Sequence, residues 1–278
     1  MAHLTSRINV DSKLYNALSL PYSTKFYFKS LQQTRAPSGI ILTMSNQTNI
    51  LANIAAIQAR IDAACQLYQR DTPPTLMAVT KTRNAAEITA AIDAGITDIG
   101  ENYLQEALSK QAELSTQPKY WHFIGPIQTN KTRAIASHFD WAHSVDRAKI
   151  ITRLNDQRPN ELPPLNICLQ ININDESSKA GATIDDIPAL AELVNSQARL
   201  RLRGLMAIPA NTSDIQQQRR NFAALRGILT SLQKQFPSAA IDTLSMGMSG
   251  DMESAIAEGA TIVRIGSDIF GPRPTPKP

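Results

Sequence analysis

Long apolar runs are missing from this 278-residue chain. No stretch approaches the roughly 20 residues that a bilayer-spanning helix needs, so no association with a membrane is expected. Cysteine is nearly missing as well. Cys65 and Cys168 lie far apart and leave no dithiol redox or metal-ligand spacing, so both are expected to be reduced packing residues of a cytoplasmic protein. His138 and His143 have no metal-ligand spacing, and residue order alone supports no Ser-His-Asp arrangement. No glycine-rich dinucleotide fingerprint follows the first candidate strand.

Basic charge is also scarcer than the pI of about 9.1 suggests. Residues 1–43 hold Arg7, Lys13, Lys25, Lys29 and Arg35 against Asp11 alone, leaving 23 basic and 23 acidic residues in the rest. A body with no net charge is not built around phosphate backbones, and no nucleic-acid partner is expected. The basic, acid-poor start has the composition of an organellar transit peptide. The simpler reading is an upstream extension of the open reading frame, because Met44-Ser45-Asn46 opens a plausible helix. Little ordered structure is expected over 1–43, and one domain is expected over 44–278.

What the body does have is alternation. After a helix-like segment at 50–70, apolar strand candidates lie at 75–80, 96–100, 120–125, 141–145, 165–173, 200–208, 243–248 and 261–266. Helical patterns fall between them: 84–95 with Asn84 as N-cap and Gly95 as stop, then 103–114, 130–138, 147–155, 184–195, 214–235 and 252–258. Strictly alternating strands and helices demand a parallel sheet, and eight units in this length match a closed (β/α)8 barrel. An open doubly wound sheet is the alternative.

In such a barrel, function gathers where strands turn into helices. That edge holds Lys81 in "AVTKT", Glu101-Asn102 in "GEN", His122 and Gly125 in "WHFIGPIQTNK", and the loop 172–181 containing "ESSKAG". Met206 in "GLMAI", Ser245 to Gly250 in "SMGMSG" and Arg264 to Ser267 in "RIGS" complete it. The loops after strands seven and eight carry small residues and hydroxyls suited to an anion, and are a common phosphate site of this fold. Lys81 is placed across the mouth from them. It is either a solvated strand-end charge or, partly desolvated, an amine able to attack an aldehyde. His122 either faces the mouth or is a core histidine bonded to backbone. Glu101 is an acid or base, or the partner of a nearby lysine or arginine.

"AVTKT", "GENYLQEA", "WHFIGPIQTNK", "ESSKAG", "GLMAI" and "SMGMSGDMESAIAEGATIVRIGSDIFG", in this order from about residue 48 to 273, closely resemble the YggS/PROSC family of pyridoxal-phosphate homeostasis proteins. The resemblance implies a fold-type III barrel, like the N-terminal domain of alanine racemase, holding pyridoxal 5′-phosphate. It makes Lys81 the Schiff-base lysine, gives the phosphate to Ser249, Gly250, Gly266 and Ser267, and sets Arg264 at the pyridine nitrogen. It places Asn102, His122 and Met206 near the ring, and Ser245 belongs to the same cofactor set. Many relatives have threonine where this chain has Ser267, which keeps the hydroxyl.

Two functions compete. One is a carrier or buffer that maintains vitamin B6 homeostasis by binding and releasing cofactor, with pyridoxal-phosphate-dependent apoenzymes as recipients. The other is a fold-type III enzyme such as an amino-acid racemase. Racemases append a β-domain that supplies a tyrosine, whereas here "GPRPTPKP" follows strand eight with no tyrosine beyond Tyr120. The carrier, as a monomer, is therefore the expected reading.

Overall fold

The computed structural model describes residues 38–114, 116–174 and 180–272. It divides into two compact units, Met1–Met44 and Ser45–Pro278, and the barrel belongs to the second. The leader over 1–37, most of the "ESSKAG" motif (175–179) and the tail from 273 lie outside the described residues.

Eight strands close a parallel barrel in sequence order: β1 (Thr75–Val79), β2 (Asp98–Glu101), β3 (Tyr120–Phe123), β4 (Trp141–Val145), β5 (Leu165–Ile171), β6 (Leu200–Ala207), β7 (Thr243–Ser245) and β8 (Ile262–Ile265). The helices are α1 (Ser38–Leu67), α2 (Ala85–Asp93), α3 (Leu104–Glu113), α4 (Thr132–His138), α5 (Ala148–Gln157), α6 (Ile187–Asn195), α7 (Ile215–Gln235), α8 (Met252–Ala257) and α9 (Ser267–Phe270). Each expected strand and helix is present and, apart from the start of α1, its ends differ from those expected by at most three residues. Two features were not expected: α1 starts at Ser38, before Met44, and the short α9 follows β8. Among the described residues no helix is long and apolar enough to cross a membrane.

Local chemistry explains the boundaries. Asn84 and Glu87 form a reciprocal capping box, each side chain taking the other's backbone N–H at 2.9 Å. Gly95 stops α2 with a φ of +96°, which costs glycine little. Asp214 caps α7 by accepting from the Gln216 and Gln217 N–H groups.

Strand alternation sorts side chains into two layers. Leu76, Ala78, Ile99, Phe123, Ile167, Leu169, Leu205 and Val263 face outward and join the helices in one large apolar core. The interior holds two small apolar groups instead, Met77 with Ile124 and Ile262, and Trp141 with Cys168 and Met206. Between them the interior is polar. Both cysteines are buried and free, as expected.

One expectation is corrected by closure. Lys81 does not face the phosphate-type loops across the mouth, because β1 pairs directly with β8, Met77 opposite Arg264 and Ala78 opposite Ile265. A sheet that closes on itself makes its first and last strands neighbours. The lysine and the loop after β8 therefore share one side of the rim.

Candidate functional site

The rim after β1 is a tight turn. Arg83 N–H bonds to the Thr80 carbonyl at 3.0 Å, closing Thr80-Lys81-Thr82-Arg83. Lys81 is half-buried. Thr82 has a φ of +65°, a region that a β-branched residue rarely adopts. On the β8 side, Gly266 packs against β1 so closely that a Cβ there would lie 3.2 Å from the Val79 carbonyl oxygen.

At the end of β2, Glu101 is fully buried. It takes bonds from Lys110 Nζ at 2.6 Å and Thr80 Oγ1 at 2.5 Å, so its role as partner of a nearby lysine is the one observed. Burial raises the Glu101 carboxyl pKa, opposed by Lys110 and Thr80. Its second oxygen, Oε2, is buried without a partner, and so is Oδ1 of Asn102 beside it. Buried acceptors left unpaired cost free energy and mark places where a donor is missing. Asn102 is set by its neighbour across the rim: a Cβ on Gly125 would stand 2.1 Å from the Asn102 carbonyl oxygen, so only glycine lets the two chains pass.

Across the interior runs a hydrogen-bonded series. Arg264 Nη1 donates to Ser245 Oγ at 2.9 Å and to the Ser245 carbonyl at 2.5 Å, and Nη2 donates to the Ala207 carbonyl at 3.0 Å. Ser245 Oγ meets His143 Nδ1, His143 Nε2 meets His122 Nδ1, and His122 Nε2 meets Asp98 Oδ1, each at 2.9 Å. Burial pulls the Arg264 guanidinium down to about 10, against the attraction of Asp251. Burial, with His122 and Arg264 nearby, holds His143 well below its ordinary value. Desolvation raises the Asp98 carboxyl pKa, but His122, the Thr97 hydroxyl and Lys119 together lower it further, so the net shift is downward.

The expected site residues thus fall into two groups. Lys81, Asn102, Ser249, Gly250, Gly266 and Ser267 lie on the rim, after β1, β2, β7 and β8. Ser245, Arg264, His122 and Met206 lie inside the barrel, each with at most 5% exposure. His122 is neither at the mouth nor bonded to backbone: Asp98 and His143 take both ring nitrogens, and Trp141 stacks on it at 5.4 Å. Through His143 and Ser245 it is linked to Arg264. Met206 packs with Trp141 and Cys168.

Three contributors escaped the sequence reading. Lys110, on α3, bonds Glu101 and Glu106 from a buried position. His143 joins His122 to Ser245. Arg60, on α1, ties the β7 and β8 loops together, bonding Glu253 at 2.8 and 3.1 Å, Asp268 at 3.2 Å and the Ser249 carbonyl at 3.2 Å. Lys110 lies at helical spacing from Glu106, a weak local signal. Arg60 is far in sequence from all its partners and gives none.

Comparison with known proteins decides the family. Over 228 residues the chain is 57% identical to the pyridoxal phosphate homeostasis protein of Pseudomonas aeruginosa, covering 81% of this chain and 96% of that protein. The chain belongs to the pyridoxal phosphate homeostasis protein family. The Escherichia coli member is 50% identical over 229 residues, covering 81% of this chain and 97% of that one. The family model "Alanine racemase, N-terminal domain" matches residues 52–274. Among solved structures, PipY of Synechococcus elongatus with pyridoxal phosphate bound is 35% identical with a TM-score of 0.69, covering 80% of this chain and all of that one. The alanine racemase of Corynebacterium glutamicum shares the fold at 15% identity and a TM-score of 0.60.

Proposed function

We propose that this chain binds pyridoxal 5′-phosphate through Lys81 and carries or buffers it, maintaining vitamin B6 homeostasis in the cytoplasm without turning over a substrate. The observation that carries this reading is 57% identity across 96% of a pyridoxal phosphate homeostasis protein. The residues present fit the ligand. A buried amide oxygen without a partner, Asn102 Oδ1, faces a need for a donor, and a half-buried lysine stands on the same rim.

When bound, the ligand would bring three groups: an aldehyde able to condense with an amine, an aromatic nitrogen, and a phosphate dianion. Lys81 Nζ provides the amine and fixes the ligand covalently, with water leaving. Ser249, Gly250, Gly266 and Ser267 offer hydroxyls and main-chain N–H groups to the phosphate, with no bulky side chain to block close approach. Arg264, pinned by Ser245 and the Ala207 carbonyl, keeps its proton at neutral pH and stands as a donor to the ring nitrogen. A cation there opposes protonation of that nitrogen, which weakens the ring as a sink for carbanion charge. That favours storage over amino-acid chemistry. Asp251 follows Gly250 and accepts the Met248 N–H; burial raises its carboxyl pKa, opposed by that bond and by Arg264.

The deciding experiment is an absorption spectrum of the purified chain with and without borohydride, beside Lys81→Ala. A visible band that borohydride removes in the wild type and that the variant lacks is expected. The same band in both proteins overturns the assignment of Lys81. Incubating the loaded protein with single enantiomers of alanine separates carrier from racemase: constant chirality is expected, and sustained racemisation overturns the carrier reading.

A further inference from the structure

The turn that carries Lys81 is held from both sides by one buried ammonium. Lys110, 4% exposed, donates from Nζ to the Thr80 carbonyl at 2.6 Å, to Glu101 Oε1 at 2.6 Å and to Glu106 Oε1 at 2.5 Å. Glu106 Oε1 also accepts the Thr82 N–H at 2.5 Å. The backbone groups of the residues immediately before and after Lys81 therefore end on the same small cluster. Thr80 is fixed a second time through its hydroxyl on Glu101. Beyond the turn, Arg83 is anchored to the carbonyls of Phe270, Gly271 and Pro272, so the turn is also tied to the segment behind β8.

Such fixing has a purpose only if the turn would otherwise relax. Thr82 occupies the third position of the turn at φ +65°, where turns of this shape normally carry glycine or asparagine. A β-branched residue held there is strained, and strain persists only where surrounding bonds over-determine it. An apolar side chain at position 110 would release the Thr80 carbonyl and leave Glu106, which holds the Thr82 N–H, without its cation.

We infer that Glu101, Glu106 and Lys110 form a positioning device that holds the strained Lys81 turn, presenting Nζ to the ligand's aldehyde. This rests on the reading that Lys81 bonds the aldehyde. In that step the neutral Nζ adds to the aldehyde carbon, a C=N bond replaces C=O, and the oxygen leaves as water with the two amine hydrogens. The positioning residues take no part in the proton or electron balance. They shorten the search of a flexible amine for one carbon, which is a preorganisation effect.

The test compares pyridoxal 5′-phosphate with pyridoxine 5′-phosphate, which has an alcohol in place of the aldehyde and cannot bond Lys81. In the full chain, Glu106→Ala should weaken pyridoxal 5′-phosphate about tenfold or more, while pyridoxine 5′-phosphate changes by less than about twofold. Thr82→Gly in the Glu106→Ala background should recover most of the loss, because glycine adopts the turn without restraint. Lys110→Met should repeat the Glu106→Ala pattern more strongly. If it does not fold, the partly exposed Glu106 and Thr82 variants decide alone. Equal weakening of both ligands, no weakening of either, or no recovery with Thr82→Gly overturns the inference. Failure of the underlying reading has its own signature: Lys81→Ala would then bind pyridoxal 5′-phosphate as tightly as the wild type.

Discussion

His122 Nδ1 lies 2.9 Å from His143 Nε2, a hydrogen bond between two imidazoles that are both fully buried. With Asp98 ionised and both rings neutral, the donors all point one way: Arg264 to Ser245, Ser245 to His143, His143 to His122, and His122 to Asp98. Each ring then donates once and accepts once. A second proton on His143 would reverse its bond with Ser245, costing the hydroxyl that acceptor, and would place a buried charge near Arg264.

That arrangement predicts a pH dependence of stability. The folded His143 pKa is lowered well below 6.5, so between that value and 6.5 the unfolded chain binds a proton that the folded one does not. Stability from this group is complete above about pH 6.5 and falls as pH drops, by about 1.4 kcal/mol per unit, until the folded pKa is reached. Urea denaturation of the wild type from about pH 7.5 to 5 should show this slope, and His143→Gln should flatten it. Equal slopes in the two proteins would refute the assignment.

Arg60 predicts a change in ligand preference without one in stability. Its pairs with Glu253 and Asp268 are substantially exposed, so each contributes roughly 0–1 kcal/mol to folding. Yet both carboxylates sit beside the loops proposed to take the phosphate, and the guanidinium neutralises them. Arg60→Ala should leave the melting temperature within a few degrees and weaken pyridoxal 5′-phosphate. Pyridoxal, which lacks the phosphate, should bind as before. Adding Glu253→Gln and Asp268→Asn should restore the affinity, measured by fluorescence titration.

Asn102 predicts the opposite trade. Its Oδ1 is buried and unpaired among the described residues, so Asn102→Leu removes an acceptor that none of them satisfies. Folding stability should stay within about 1 kcal/mol of wild type or rise, while binding of pyridoxal 5′-phosphate weakens. Calorimetry of the two proteins, with and without ligand, reads both effects. A clear loss of stability in the ligand-free variant would count against the proposed role.

Gly125→Ala tests the close passage behind that asparagine. A methyl 2.1 Å from the Asn102 carbonyl oxygen forces the backbone apart, and overpacking of this kind costs about 1–3 kcal/mol or more. The midpoint in urea should fall and the ligand should bind more weakly. A variant with unchanged midpoint and affinity would show that the passage yields easily.

Local chemistry was legible in the sequence because it has a period or a short reach. The alternation of strands and helices, the Asn84 cap, the Gly95 stop and the ordered motifs with Lys81 at the end of β1 all follow from residues close along the chain. The pairing of Glu101 was open, and a buried lysine nine positions on settled it.

Tertiary structure alone decided what depends on contacts across the chain. Closure of the barrel set Lys81 beside β8 rather than opposite it. It drew His122, His143 and Ser245 from three strands into one hydrogen-bonded series, and set Arg60 against Asp268, 208 positions away. Periodicity records which face of an element is buried, but not which buried group on another element it meets. That is fixed only when the strands close and every interior polar group must find its partner.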